Sequence, residues 1–455
     1  MKNKNYIYIY LILSLSLSSC SKFLEEKSDK QLTTPTTVED FRGLLSHINM
    51  FQSFCSLGQS SSDDFYLTDE DFNTLYYDSD KRLYTWQPDY VSRPLSSAGN
   101  EWQKCYSVIY VCNSVLHGIE ENNLVSSEVD QIKGQALVYR AARYLDAVQI
   151  WAPVYATETA TKELGLPLRL DPDMNIPSVR ATVQQTYDQI ILDLETAVEM
   201  LPAGSAGKSM PSKGSAYGLL ARTYLVMASY DKALENASKA LVENNEVIDF
   251  NLLNTAANFP IPVANQASTE IIFDNRMYGS EFRSNPETAK INPELLKLYT
   301  DNDLRRSIYY QQAKDKTSYF KGTHTGFSTL STGVTTTEML LILAECNVRL
   351  NKLVEAALSL NNLRIKRYSS QSYTPISFTD QTAALETVLE ERRKELAFRG
   401  LRWSDIKRLN RDGAGITLTR IIGEETYKLP PNDKRYAIAL PEDIIDIAKI
   451  PQNPR

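Results

Sequence analysis

Apolar positions in this chain recur mostly at helical spacing, and proline cuts the pattern into long segments. Trp102, Tyr106, Ile109 and Asn113 fall at i, i+4, i+7 and i+11, one face of a helix. Between residues 128 and 151 the positions Ile132, Ala136, Tyr139, Arg143, Ala147 and Ile150 keep that spacing, until Pro153 stops it. An irregular link containing Gly165-Leu166-Pro167-Leu168 and Asp171-Pro172 leads to a further helix predicted over 183–201 and closed by Pro202. Two tightly joined helix pairs follow, 214–228 with 230–243 and 336–350 with 354–367. The stretch 250–335 between them differs in kind. It is rich in Asn, Pro, Ser, Thr and Tyr and predicts only a short helix over 293–299.

The two pairs share a frame. At an offset of 123 residues Ala221 matches Ala344, Tyr230 matches Leu353 and Ala233 matches Ala356. Small residues at these positions let two helices approach closely, and the run Tyr230-Asp231-Lys232-Ala233-Leu234 resembles the tetratricopeptide repeat. Such units stack, because one helix pair cannot bury its apolar stripe alone. The expected fold is therefore mainly α: a tetratricopeptide-like helical repeat scaffold with long irregular loop insertions. Insertions in such an array map to one face, commonly the binding face.

At the start of the chain, Lys2 and Lys4 precede an apolar run over 6–17, and Ser18 and Ser19 lead into Cys20. This is the layout of a secretory signal. The run is about half of the ~20 residues a membrane-spanning helix needs. Leu17-Ser18-Ser19-Cys20 resembles the lipobox of bacterial lipoproteins, in which the cysteine receives a diacylglycerol. Residues 1–19 are expected to be a cleaved signal, 20–35 a lipid anchor and polar tether with Cys20 the attachment point, and 36–455 a single repeat domain. Membrane contact is then through lipid alone, and several acyl chains hold a protein far more firmly than one.

A second local signal is aromatic. Residues 65–110 hold 11 aromatics in 46 positions, against 10% over the whole chain, so the excess needs its own explanation. Part of it is the face of the helix through Trp102. The remainder, including Tyr76, Tyr77, Tyr84, Trp86 and Tyr90, is interrupted by Pro88, Pro94 and Gly99, and the region 65–101 reads as loop or short strand.

Composition excludes several classes. A net charge of -7 with mixed signs leaves no basic footprint, so nucleic acid is not an expected partner. Cys105 and Cys112 sit on one predicted helix about 10 Å apart along its axis, too far for a disulfide, and with Cys55 and Cys346 are expected as buried free thiols. His47, His117 and His324 are far apart in sequence, and no metal or cofactor is expected. Gly207-Lys208-Ser209 superficially suggests a phosphate loop, but Pro202 occupies its first glycine position and helices flank it. Asp171-Pro172-Asp173-Met174-Asn175 opens like a calcium loop, yet Ile176 and Thr182 replace the required glycine and glutamate, and turn chemistry explains it better. Neither Gly-x-Ser-x-Gly nor His-Glu-x-x-His occurs. A glycosidase carboxylate pair, defined only in space, stays open. The charged run 390–409, with Glu391 and Glu395 one turn apart and Gly400 ending a helix, reads as an ion-paired structural face.

That run also resembles the C-terminal signature of the SusD/RagB family of outer-membrane lipoproteins. Trp102, Tyr106, Ile109 and Asn113, then Arg140-Ala141-Ala142-Arg143-Tyr144, Gly165-Leu166-Pro167-Leu168, Leu220-Ala221-Arg222, Ala344-Glu345 and Pro451-Gln452-Asn453-Pro454 are similar to that family in the same order. Arg399 departs from it, where an acidic residue is more usual. The resemblance implies a non-catalytic, surface-exposed nutrient binder that lies over a SusC-like TonB-dependent barrel and hands it oligosaccharides, or in some members peptides. A protein-binding scaffold is the alternative from another class. Capturing sugars calls for flat side chains with hydrogen-bonding neighbours. The expected ligand residues are Arg82, Tyr84, Trp86, Asp89, Tyr90 and Arg93, with Arg276, Tyr278, Tyr309 and Tyr310 from the insertion as the opposite wall.

Overall fold

The computed structural model describes residues 34–89, 100–204, 207–265, 267–278 and 289–455. Cys20, the signal and most of the expected tether lie outside these residues, as do Tyr90 and Arg93.

Helices dominate. The N-terminal part holds α1 (Val38–Leu45), α2 (Leu57–Ser61), α3 (Asp69–Asn73) and α4 (Asp78–Tyr84), then the long antiparallel neighbours α5 (Glu101–Glu121), α6 (Ser127–Trp151) and α7 (Val183–Met200). The first repeat pair is α8 (Lys213–Val226) and α9 (Tyr230–Glu243). The insertion carries α10 (Pro293–Leu296) and α11 (Arg305–Tyr309), and the second pair is α12 (Thr336–Arg349) and α13 (Leu353–Arg364). Then follow α14 (Gln381–Glu395), α15 (Arg402–Arg411) and α16 (Glu442–Ala448). The helix starts follow from their caps. Asn100 and Ser126 accept the backbone N–H of Gln103 and Val129, and Thr182 forms a reciprocal capping box with Gln185.

The repeat frame survives in three dimensions. Ala221, Ala233, Ala344 and Ala356 are fully buried between their helices. The turn inside each pair contains one residue in the left-handed region, Ala228 at φ 60° and Asn351 at φ 59°, and these two positions are also 123 residues apart. Bidentate ion pairs tie the array together. Arg140 on α6 holds Asp193 on α7 at 2.8 and 2.7 Å, and Arg222 on α8 holds Glu338 on α12 at 2.8 and 2.7 Å.

Short antiparallel strand pairs organise the insertions. Strand β1 (Phe65–Tyr66) pairs with β5 (Lys290–Ile291), stitching the aromatic region to the insertion. The others are β2 (Leu164–Pro167) with β3 (Arg180–Thr182), β4 (Ile271–Phe273) with β8 (Val334–Thr335), β6 (Tyr310–Gln312) with β7 (Ser318–Phe320), and the hairpin β9 (Leu418–Ile422) with β10 (Glu425–Leu429). The segment 165–168, read as an irregular link, thus supplies most of a strand. The described part of the region 65–101, read as loop or strand, contains the short helices α3 and α4 besides β1, and α3 is nucleated by a capping box between Thr68 and Asp71.

The charged run 390–409 is structural, but it is not at the surface. Glu391, Arg392, Lys394, Glu395, Arg399, Asp405 and Arg408 are all buried. Arg305, fully buried, contacts Asp303, Glu391 and Glu395, while Arg367 contacts Glu270 and Glu395. Arg408 holds Glu345 on α12 at 2.6 and 2.8 Å. The carboxylate of Glu391 is held far below its usual range by Arg305, Lys394 and Arg364, which outweigh its burial. Cys55, Cys105, Cys112 and Cys346 are buried free thiols, as expected. The aspartates of the 171–175 loop accept backbone N–H groups two residues on, Asp171 from Asp173 and Asp173 from Asn175, which is turn chemistry.

Candidate functional site

The aromatic region and the insertion do meet, but through a packed base. Phe65, Tyr84, Phe250, Tyr299, Tyr309, Tyr310 and Phe398 form one buried aromatic cluster. Within it the Tyr310 and Tyr299 hydroxyls lie 2.9 Å apart, and Tyr299 donates to the Lys394 carbonyl at 2.9 Å. The Tyr309 ring packs against Phe250 and Phe320 with centroids 5.7 and 5.9 Å away. Burial raises the hydroxyl pKa of both Tyr309 and Tyr310.

Tyr84 and Trp86 are engaged by a buried arginine. Arg420 on β9 lies over the Tyr84 ring at 3.6 Å and over the Trp86 ring at 4.6 Å, and donates to the carbonyls of Ser60, Ser62 and Tyr84. Burial lowers this guanidinium to about 10. Trp86 also donates its indole N–H to the Ser61 carbonyl at 3.0 Å, and its left-handed backbone at φ 52° closes the end of α4, where the Gln87 N–H returns to the Arg82 carbonyl at 2.9 Å. Arg276 is buried too, paired with Asp274 at 2.7 Å. The expectation that Tyr84, Trp86, Arg276, Tyr309 and Tyr310 present themselves to a ligand is therefore corrected. Their faces and charges are occupied by protein, and they support the surface above them.

Other candidates do reach that surface. Arg82 on α4 bridges two exposed carboxylates, Asp78 at 2.6 Å and Asp89. The hydrogen bonds it donates to Asp78 and Asp89 raise the Arg82 guanidinium above its ordinary value. Tyr278 is half-buried, with the Lys104 ammonium 5.2 Å from its ring centroid. Sequence reasoning passed over an exposed aromatic pair that includes Tyr76, the most exposed aromatic among the described residues. Tyr76 is 85% exposed and Tyr77 40% exposed, their centroids 4.7 Å apart in an edge-to-face arrangement between α3 and α4. The available signal was their adjacency. Two neighbouring tyrosines between short polar helices cannot both follow a buried stripe.

Among the described residues no group of three or more His, Cys, Asp or Glu side chains could hold a metal ion, and no helix is long and apolar enough to cross a membrane.

The fold and surface define a helical-repeat protein whose long insertions are fastened to one another by buried aromatics and ion pairs. Residues 22–225 match a SusD-like family described as starch-binding and associating with the outer membrane, and residues 301–439 match the SusD family. The chain belongs to the SusD/RagB family. A SusD-like protein of Formosa agariphila is 25% identical, with 78% of this chain and 79% of the relative covered. A solved structure of a putative sugar-binding protein from Bacteroides vulgatus superposes with a TM-score of 0.72 at 21% identity, covering 93% of this chain and 99% of that one. A SusD superfamily protein from Bacteroides thetaiotaomicron gives 0.71 at 20% identity, with 92% and 100% covered.

Proposed function

We propose that this chain is a lipid-anchored surface protein that binds extracellular oligosaccharides and passes them to a TonB-dependent outer-membrane barrel. The observation that carries the reading is the exposed Tyr76–Tyr77 pair beside the Asp78–Arg82–Asp89 ion cluster, on a chain of this family. Sugar rings present apolar C–H faces that stack on tyrosine and hydroxyls that pair with carboxylates and guanidinium groups. Support also comes from the sugar-binding description of the structural relative and from Cys20, which would hold the body at the membrane while the segment to residue 35 gives it reach. Nothing in this role breaks a bond. The protein binds and releases.

Affinity electrophoresis through gels containing a panel of polysaccharides tests the proposal. At least one polysaccharide should retard the protein, and Tyr76→Ala/Tyr77→Ala should restore its mobility. Retardation by none, with binding of free peptides instead, would make the chain a peptide-binding member of the family.

A further inference from the structure

A cleft remote in sequence from Tyr76 and Tyr77 has chemistry that the proposed role does not use. It opens where Pro153 ends α6 and encloses about 560 Å³. Its walls are the 153–164 segment, the last turn of α15, residues 432–437 and the C-terminal Asn453 and Pro454. The volume falls within the ~300–1,000 Å³ typical of small-ligand sites.

Two cations one helical turn apart line it. Lys407 is 3% exposed and donates to the carbonyls of Gln149 and Ala152, both at 2.7 Å. In its protonated form the ammonium has three N–H groups, so one remains; burial lowers Lys407 to about 7, and that form therefore predominates on the acid side of neutrality. Arg411 donates from Nε to Asp412 at 2.8 Å and from Nη1 to the carbonyls of Tyr155 and Val226. Its Nη2 is buried and has no hydrogen-bond partner. An orphaned donor of this kind costs about 1–3 kcal/mol, more when charged; because Nη2 is closed off from water as it stands, an anion in the cleft would relieve it by drawing the guanidinium toward itself.

The remaining charges of the cleft do not serve that purpose. Asp433 is paired with Arg435 at 2.8 Å; Glu163 accepts the Thr159 hydroxyl at 2.7 Å and is the one carboxylate near enough to Lys407 to act on its charge. Lys162 and Lys434 stand exposed at the rim and add positive charge. Between rim and floor the lining is Val154, Leu164, Tyr436 and Ala437, an apolar wall beside a cationic floor.

We infer that this cleft binds a small carboxylate-bearing molecule, its carboxylate received by Arg411 and Lys407 and its apolar face laid against Val154, Leu164 and Tyr436. A guanidinium and an ammonium with spare donors form charge-assisted hydrogen bonds to carboxylate, stronger than neutral ones. Acidic sugars and short peptides share this chemistry. The inference stands apart from the glycan surface at Tyr76 and Tyr77 and does not depend on it.

Isothermal titration of the full-length chain in detergent at pH 6, where Lys407 is protonated, tests it, with sodium digalacturonate, alanylalanine and neutral maltose as separate titrants. Binding of either carboxylate with Kd below about 1 mM is expected, and none of maltose into the cleft. Heat from digalacturonate assigns the site to acidic sugars, and heat from alanylalanine to peptides. Arg411→Gln should weaken binding at least tenfold. That variant also disturbs two backbone carbonyls, so Ala156→Trp, which fills the cleft from a half-buried lining position, provides a second variant with the same expected loss. Absence of heat from both carboxylates overturns the inference. So does carboxylate binding that is unchanged in Ala156→Trp.

Discussion

Replacing Glu338 by leucine removes the carboxylate that links the two repeat pairs. Glu338 is fully buried at the start of α12 and receives both Nε and Nη2 of Arg222. Without it the guanidinium retains only the carbonyls of Thr332 and Gly333, at 3.2 and 3.3 Å. Removing one partner of a buried pair leaves an uncompensated charge and costs about 3–5 kcal/mol, whereas replacing both with apolar groups of similar volume is often neutral or better. The double variant Arg222→Met/Glu338→Leu also loses an acidic residue from the first turn of a helix, worth about 0.3–1 kcal/mol. The single change should therefore destabilise by roughly 4 kcal/mol and the double by no more than about 1. Urea unfolding followed by tryptophan fluorescence measures both. A single-variant loss below about 1 kcal/mol, or a double variant no more stable than the single, would refute the claim that this pair fastens the array.

Three further outcomes follow from local geometry. Left-handed backbone at a non-glycine residue costs about 1–2 kcal/mol, so Ala228→Gly should raise the thermal midpoint despite greater chain entropy when unfolded, and Asn351→Ala should lower it; a fall for Ala228→Gly would contradict the turn assignment. Gly333→Ala would place a Cβ 2.1 Å from the Phe273 carbonyl oxygen and 2.8 Å from the Asn275 nitrogen, both backbone atoms, and should cost more than the ~1–3 kcal/mol of ordinary overpacking, measured by the same unfolding assay. Burial lowers Lys407 to about 7, against ~10.4 for an exposed lysine. The unfolded chain then binds the additional proton between those values, so this group makes stability rise with pH across that window, and Lys407→Met should flatten the rise in unfolding midpoints between pH 7 and 10.

The long helices were legible because each had both a 3.6-residue pattern and a boundary residue. The helix expected over 183–201 is Val183–Met200, and that expected over 128–151 is Ser127–Trp151. Short helices carried less pattern than one amphipathic turn displays, and α3 and α4 were hidden behind the aromatic content of their region. The candidate site shows the same limit more sharply. Residue type selected Tyr84, Trp86 and Tyr309, but what buries Tyr84 and Trp86 is Arg420, more than 330 residues away, and what buries Tyr309 includes Phe250. No local pattern reports such partners. The run 390–409 was correctly read as ion-paired, yet its burial came from Asp303, Arg305, Glu345 and Arg367 on other elements.

Capture of a sugar chain by the exposed tyrosine pair is tested by the retardation of Tyr76→Ala/Tyr77→Ala beside the unmodified protein on the polysaccharide that slows it most. Loss of retardation at unchanged thermal stability is expected, because both rings are outside the core. Full retardation of the double variant would contradict it.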